Sequence, residues 1–261
     1  MASRFRARTV TFDCWQTLIY DDQPPGRPQH GRLDMLQAIT GRPREQVARA
    51  LSEAWAEHQR AWHRRLVFAG PQITRHALDA LDTQLASDAF DDLVRRLEDE
   101  ISGHRICAVE GARELLQSLR DDGVRVALVC DTGFSPGRVV RELLDRVGLL
   151  SFLEVQIFSD EVGVPKPHAR AFQAALDGLG VAAHGAVHVG DLRRSDIAGA
   201  RAVGMTTARF AGRNDDTDSQ HGAQGAGIIS CADAGCVPEC ERPEADVVIA
   251  RYPALADWLR S

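Results

Sequence analysis

The sequence predicts an α/β fold: a Rossmann-like parallel sheet with helices on both faces and an inserted helical cap domain. Three observations predict it. Short β-branched runs bounded by turn residues recur at 9–13, 124–130, 155–159, 186–190, 206–210 and 246–249. Helical patterns lie between most of these runs, and strands that alternate with helices build a parallel sheet covered on both sides. The stretch from 22 to 107 breaks the alternation, because it carries helix patterns and no convincing strand.

Taken in order, the first run ends FDCWQTL and delivers Asp13 at a strand end. The segment DDQPPGRPQHGR follows, and its three prolines and two glycines read as a hinge. Beyond it, Val47, Leu51, Trp55, His58, Trp62 and Leu66 are spaced by three or four, and Leu93, Leu97 and Ile101 repeat by four. Each set makes one apolar helix face. Trp55 and Trp62 are therefore expected in a helical core, and Arg64 and Arg65 on the surface. Helices are expected at Ala112–Arg120, Arg138–Val147 and Arg170–Leu179, each between two of the later strands. The stretch 212–245, rich in Gly, Asp and Ser, is too long for a simple connector and reads as a loop insertion. Its Cys231, Cys236 and Cys240 lack the paired spacing of familiar zinc sites and read as free thiols. The expected plan is a core domain of residues 1–21 and 108–261, holding that insertion, and a cap domain of residues 22–107.

A net charge of −6 and a pI near 5.8 argue against nucleic acid or an anionic membrane as a generic partner. No stretch approaches the roughly 20 apolar residues of a membrane span, no signal core follows the first residues, and six cysteines in this length are too few for a disulfide scaffold. A cytoplasmic protein with reduced thiols is expected.

The chain holds thirty arginines and one lysine, Lys166, in VGVPKPHARAF. A compact ammonium and a planar guanidinium are not interchangeable against carboxylates and phosphate oxygens, so the retained lysine marks a site. In a sheet of this kind ligands bind at the carboxyl ends of the strands. There the sequence places Asp13, then Cys130 at the end of the run VALVC with Asp131, Thr132 and Gly133 after it, and Asp191 and Asp196 in HVGDLRRSD. Three carboxylates brought together repel unless cations offset them. Lys166 and a hard divalent ion do that, and oxygen ligands few in number suit Mg²⁺. The set describes an Asp nucleophile with a metal, a lysine and hydrogen-bond donors around a phosphoryl group.

These segments, FDxxxTL, the PKP lysine and GDxxxxDxxGAxxxGM, resemble in order and separation the motifs of the haloacid dehalogenase superfamily. The match covers the sheet domain, about two thirds of the chain, and the helical insert sits where that family carries its first type of cap. The resemblance implies catalytic roles for Asp13, Lys166, Thr132, Cys130 and Asp196. It implies metal ligation by Asp13, the Trp15 carbonyl and Asp191, and substrate binding by Trp15, Thr132, Gly133 and Lys166. Two departures stand out. Family phosphatases carry a second Asp, a general acid and base, where this chain has Trp15. The Ser or Thr expected at the second strand end is Cys130, a weak donor. An aromatic two positions after the nucleophile is what true haloacid dehalogenases show, yet those work without metal and lack the acid at Asp191. The expectation is a Mg²⁺-dependent phosphatase acting on a small phosphorylated metabolite through an aspartyl phosphate. The alternatives are a 2-haloacid dehalogenase-like hydrolase using the same Asp, or a protein of this fold with little or no turnover that serves as a binding or regulatory module.

Overall fold

The computed structural model describes residues 6–23, 30–216 and 244–261. Chain order runs β1 (Thr9–Phe12), β2 (Ile19–Asp21), α1 (His30–Thr40), α2 (Arg44–His63), α3 (Gly70–Asp79), α4 (Ser87–Asp99), β3 (Ile106–Ala108), α5 (Ala112–Asp121), β4 (Arg125–Cys130) and α6 (Gly137–Arg146). It continues with β5 (Val155–Phe158), α7 (Ser159–Val162), α8 (Ala169–Leu179), β6 (Ala186–Gly190), α9 (Ala198–Ala202), β7 (Thr206–Phe210), β8 (Val247–Ile249) and α10 (Tyr252–Arg260). Cys231, Cys236 and Cys240 lie outside the described residues.

Six strands form one parallel sheet in the order β5-β4-β1-β6-β7-β8. From the central β1 the chain winds outward to β4 and β5, then crosses to β6, β7 and β8. The order reverses beside β1, and in sheets of this kind ligands bind there, at the carboxyl ends of the strands. Alternation along β4 shows why both faces are covered. Val126, Leu128 and Cys130 point into a core shared with α5, α6 and α10, whereas Ala127 and Val129 point into a second core with α8 and α9. Nearly continuous apolar strands are what two-sided burial demands.

Helices α1 to α4 pack around their own apolar cluster, in which Leu36, Val47, Ala54, Ile73, Leu78, Leu93 and Leu97 are buried. The chain enters and leaves this helical unit through β2 and β3, which pair antiparallel with Ile19 opposite Ala108. That two-stranded sheet lies where the sequence showed no strand. Each strand has three residues, too few for a period-two pattern to register, and pairing with a partner some 85 positions away supplies what local propensity does not. Among the described residues no helix is long and apolar enough to cross a membrane.

Candidate active site

Asp13 follows the last residue of β1 and Asp191 the last residue of β6. Because Phe12 pairs with Val189, these two carboxyls emerge side by side at neighbouring strand ends. Asp196 comes from the single π turn, Arg193–Ile197, that connects β6 to α9. Ligand oxygens of Asp13, Asp191 and Asp196 all lie within 4.8 Å of one another, and all three residues are buried.

Lys166, 2% exposed, enters this group from the loop between α7 and α8. Its Nζ donates to Asp13 Oδ1 at 2.5 Å and to Asp196 Oδ1 at 2.6 Å. Asp196 is held from two further sides. Its Oδ2 accepts the Leu192 amide at 3.0 Å, and His188 Nε2 lies 3.3 Å from Oδ1, while the Thr11 hydroxyl donates to His188 Nδ1 at 2.7 Å. Gly190 is required beneath it, since a Cβ there would meet the Asp196 carboxyl carbon at 2.3 Å. Asp191 Oδ2 accepts from Asn214 Nδ2 at 2.8 Å.

The electrostatics follow from burial. Burial pushes Asp13 up to about 7, partly opposed by Lys166 and reinforced by Asp196. Burial, then repulsion from Asp13 and Asp196, pushes Asp191 well up. Asp196 moves the other way: burial opposes its charge, but Lys166 and the His188 hydrogen bond outweigh it. Burial likewise opposes charge on Lys166, and Asp13, Asp196 and Asp131 overcome it, so the ammonium stays charged. One ammonium therefore faces a cluster of three buried carboxylates, two of which resist ionisation. A divalent cation on the oxygens of Asp13 and Asp191 would offset that surplus, and all-oxygen donors suit a hard ion.

The loop after β4 follows Cys130 at the strand end, and its side chains bond within the chain. Cys130 Sγ donates to the Asp131 carbonyl at 3.3 Å, and its thiol, hydrogen-bonded to Cys14 and buried, is pushed well up, so it stays neutral. The Thr132 hydroxyl lies 3.0 Å from Ser159 Oγ and accepts the Asp160 amide at 3.2 Å, and the Thr132 amide donates to Ser159 Oγ at 2.9 Å. Both side chains thus serve the packing of β4 against β5 and its following turn. Gly133 sits under the helical unit, against Trp55 and His58. Trp15, half-buried on the turn after Asp13, packs against the main core. Arg64 and Arg65 are exposed, as expected.

Several contacts of the site escaped the sequence reading. Asp131 is half-buried, and its two oxygens accept the Lys166 amide at 2.8 Å and Trp62 Nε1 at 2.7 Å. Trp62, expected within the helical core, instead reaches across to this loop, and the Arg194 guanidinium, 7% exposed, lies 3.8 Å above its ring. Trp55 also turns toward the loop, stacking on Phe134 at 5.9 Å. Helical spacing identified the apolar stripe but not which of its rings end at the junction with the sheet domain. A Trp with a polar N–H is suited to such a half-apolar place.

A doubly wound sheet with a carboxylate and lysine cluster at its switch point, covered by a helical unit inserted after the first strand, defines a hydrolase core with a cap. The chain belongs to the haloacid dehalogenase-like hydrolase family, whose model matches residues 7–204. It is 28% identical over 225 residues to haloacid dehalogenase-like hydrolase domain-containing protein 3 of Bos taurus, covering 81% of this chain and 85% of that protein. It is 41% identical over 102 residues to a glyceraldehyde 3-phosphate phosphatase of Pyrococcus abyssi, covering 39% of this chain and 42% of that one. In fold it is similar to a 2-haloacid dehalogenase from Pseudomonas syringae pv. Tomato DC3000, with a TM-score of 0.62, 24% identity, and 97% and 99% of the two chains covered.

Proposed function

We propose that this hydrolase is a Mg²⁺-dependent phosphatase of small phosphorylated metabolites, working through an aspartyl phosphate on Asp13. The observation that carries the reading is Asp191. A second strand-end carboxylate within 4.8 Å of the nucleophile, at a buried place where burial and its neighbours push it up, is costly without a cation and useful with one. The phosphatase names of relatives over part of the chain support the same reading.

Asp13, Asp191 and the main-chain carbonyl of Trp15 would hold the ion, which supplies charge to the phosphoryl oxygens and keeps Asp13 ionised. The rest falls to the chain's own groups. Lys166 holds one oxygen of Asp13 and fixes its orientation, and its charge faces the equatorial oxygens as negative charge develops there. Asp196, itself fixed by Leu192 and His188, holds Lys166. Gly133 lets the substrate and the cap approach the loop after β4, whose shape Cys130 and Thr132 maintain. Trp15 lines the leaving-group side without offering a proton.

Hydrolysis of para-nitrophenyl phosphate tests this, because nitrophenolate departs without a proton. Turnover that needs both Mg²⁺ and Asp13, and is absent in Asp13→Asn, is expected. Trp15 favours a second reading, since halide also leaves without a proton; turnover of 2-haloacids without metal, and none of the phosphate ester, would establish that reading instead.

A further inference from the structure

Trp15 leaves the reaction without the carboxyl that hands protons to and from oxygen, and helix α2 presents a group able to do so. A Cβ on Gly133 would meet Cζ3 and Cη2 of Trp55 at 3.0 and 3.1 Å, and Nε2 of His58 at 3.3 Å. The cap thus comes close to the loop after β4 at Gly133, and the His58 atom it directs there is Nε2. The other ring nitrogen, Nδ1, lies 2.6 Å from the carbonyl oxygen of Phe68. A carbonyl only accepts, so Nδ1 carries the proton and Nε2 of the neutral ring holds a lone pair. Stacking on Trp55, with ring centroids 4.5 Å apart, fixes the plane of the imidazole. Burial lowers its affinity for a second proton, opposed by the bond to Phe68, and so favours the neutral ring.

We propose that His58 is the proton acceptor of the second half-reaction, supplying from the cap the base that position 15 lacks. The inference rests on the phosphatase reading above. Water attacks the phosphorus of the aspartyl phosphate and its oxygen bonds there, while one of its protons passes to His58 Nε2. The bond from phosphorus to Asp13 breaks, its electron pair returns to the carboxylate, and inorganic phosphate departs. The imidazolium then gives its proton to solvent. Positioned acid–base groups contribute about 10²–10⁴ in rate.

Rapid-mixing kinetics with para-nitrophenyl phosphate and Mg²⁺ separate the two halves. His58→Asn keeps an N–H able to reach the Phe68 carbonyl and removes only Nε2; His58→Ala opens a space for added imidazole. Both variants are expected to release a burst of nitrophenolate equal to the enzyme present, followed by a steady rate about 100-fold below wild type. Added imidazole is expected to raise the steady rate of His58→Ala and leave its burst unchanged. A His58→Asn steady rate within about twofold of wild type, or a loss shared equally by burst and steady phases that imidazole does not restore, would overturn the role of His58. Absence of Asp13-dependent turnover in the wild-type enzyme would instead overturn the phosphatase reading beneath it.

Discussion

Trp62 Nε1 donates to Asp131 Oδ2 at 2.7 Å, tying helix α2 of the cap to the loop after β4. The other Asp131 oxygen accepts the main-chain amide of Lys166, so one half-buried carboxylate joins the cap to the lysine that holds Asp13. Burial pushes this carboxyl up, opposed by Lys166 and the Trp62 bond. Trp62→Phe keeps a ring for Arg194 to lie on and removes only the donor. A hydrogen bond to a charged group is worth about 1.5–3 kcal/mol. If that linkage sets the closed arrangement, kcat/KM on para-nitrophenyl phosphate falls about 10- to 100-fold with a melting temperature within a few degrees of wild type. An unchanged kcat/KM would show that the bond has no part in turnover.

Lys166 cannot be exchanged for arginine. Its ammonium fits between Asp13 and Asp196 at 2.5 and 2.6 Å with 2% exposure, and a guanidinium is too wide for that gap. Lys166→Arg is expected to lose turnover as fully as Lys166→Met. Lys166→Met is also expected to lose about 3–5 kcal/mol of stability at neutral pH, since it leaves buried carboxylates facing one another. That loss should shrink as pH falls and the carboxylates protonate, which urea melts at two pH values would show.

Asp191 should cost stability when no divalent ion is bound. Its folded-state pKa is raised by burial and by Asp13 and Asp196, so ionising it is penalised only in the folded protein, and the penalty grows as pH rises above the unfolded value of about 3.9. Asp191→Asn is therefore expected to melt higher than wild type at pH 7 in the presence of a chelator. Mg²⁺ is expected to raise the melting temperature of wild type and not of the variant. A variant that melts lower in chelator and still responds to Mg²⁺ would contradict this.

His104 lies at the root of the cap, with Nδ1 2.6 Å from Asp21 Oδ2 on β2 and Nε2 3.1 Å from Glu100 Oε1. Burial opposes its charge, but the two hydrogen bonds and the two acids outweigh it and raise its pKa. The sign follows: the stabilisation is fully present below the unfolded value of about 6.5 and fades as pH rises through the higher folded value. His104→Gln is expected to lose about 1 kcal/mol or less at pH 5.5 and almost nothing at pH 9. A loss that grows with pH would reverse the argument.

The parts of the site that the sequence revealed are those fixed by local chain geometry. Asp13 and Asp191 each follow a strand whose apolar run ends sharply, and Asp196 lies one turn further on, so strand-end placement alone brings them together. Lys166 was visible because an arginine-rich chain retained it. The groups that stayed hidden depend on contacts between distant segments. Trp62 and Asp131 are 69 positions apart, Thr11 and His188 177, and Asn214 reaches Asp191 from beyond β7. Periodicity could place Trp55, His58 and Trp62 on one stripe of α2, but a stripe that faces the cap core along most of its length and the sheet domain at its end reads the same in sequence. The partners of Thr132 stayed hidden for a related reason: its hydroxyl meets Ser159 and Asp160, 27 and 28 positions further along the chain.

The most direct test of the central claim is to locate the phosphoryl group during turnover. Wild-type enzyme mixed with para-nitrophenyl phosphate and Mg²⁺, quenched in acid within the first turnovers and mapped by peptide mass spectrometry, should carry one phosphoryl group on Asp13. A phosphoryl group on another residue, or steady phosphate release with none trapped on the protein, would contradict the assignment of Asp13 as the nucleophile.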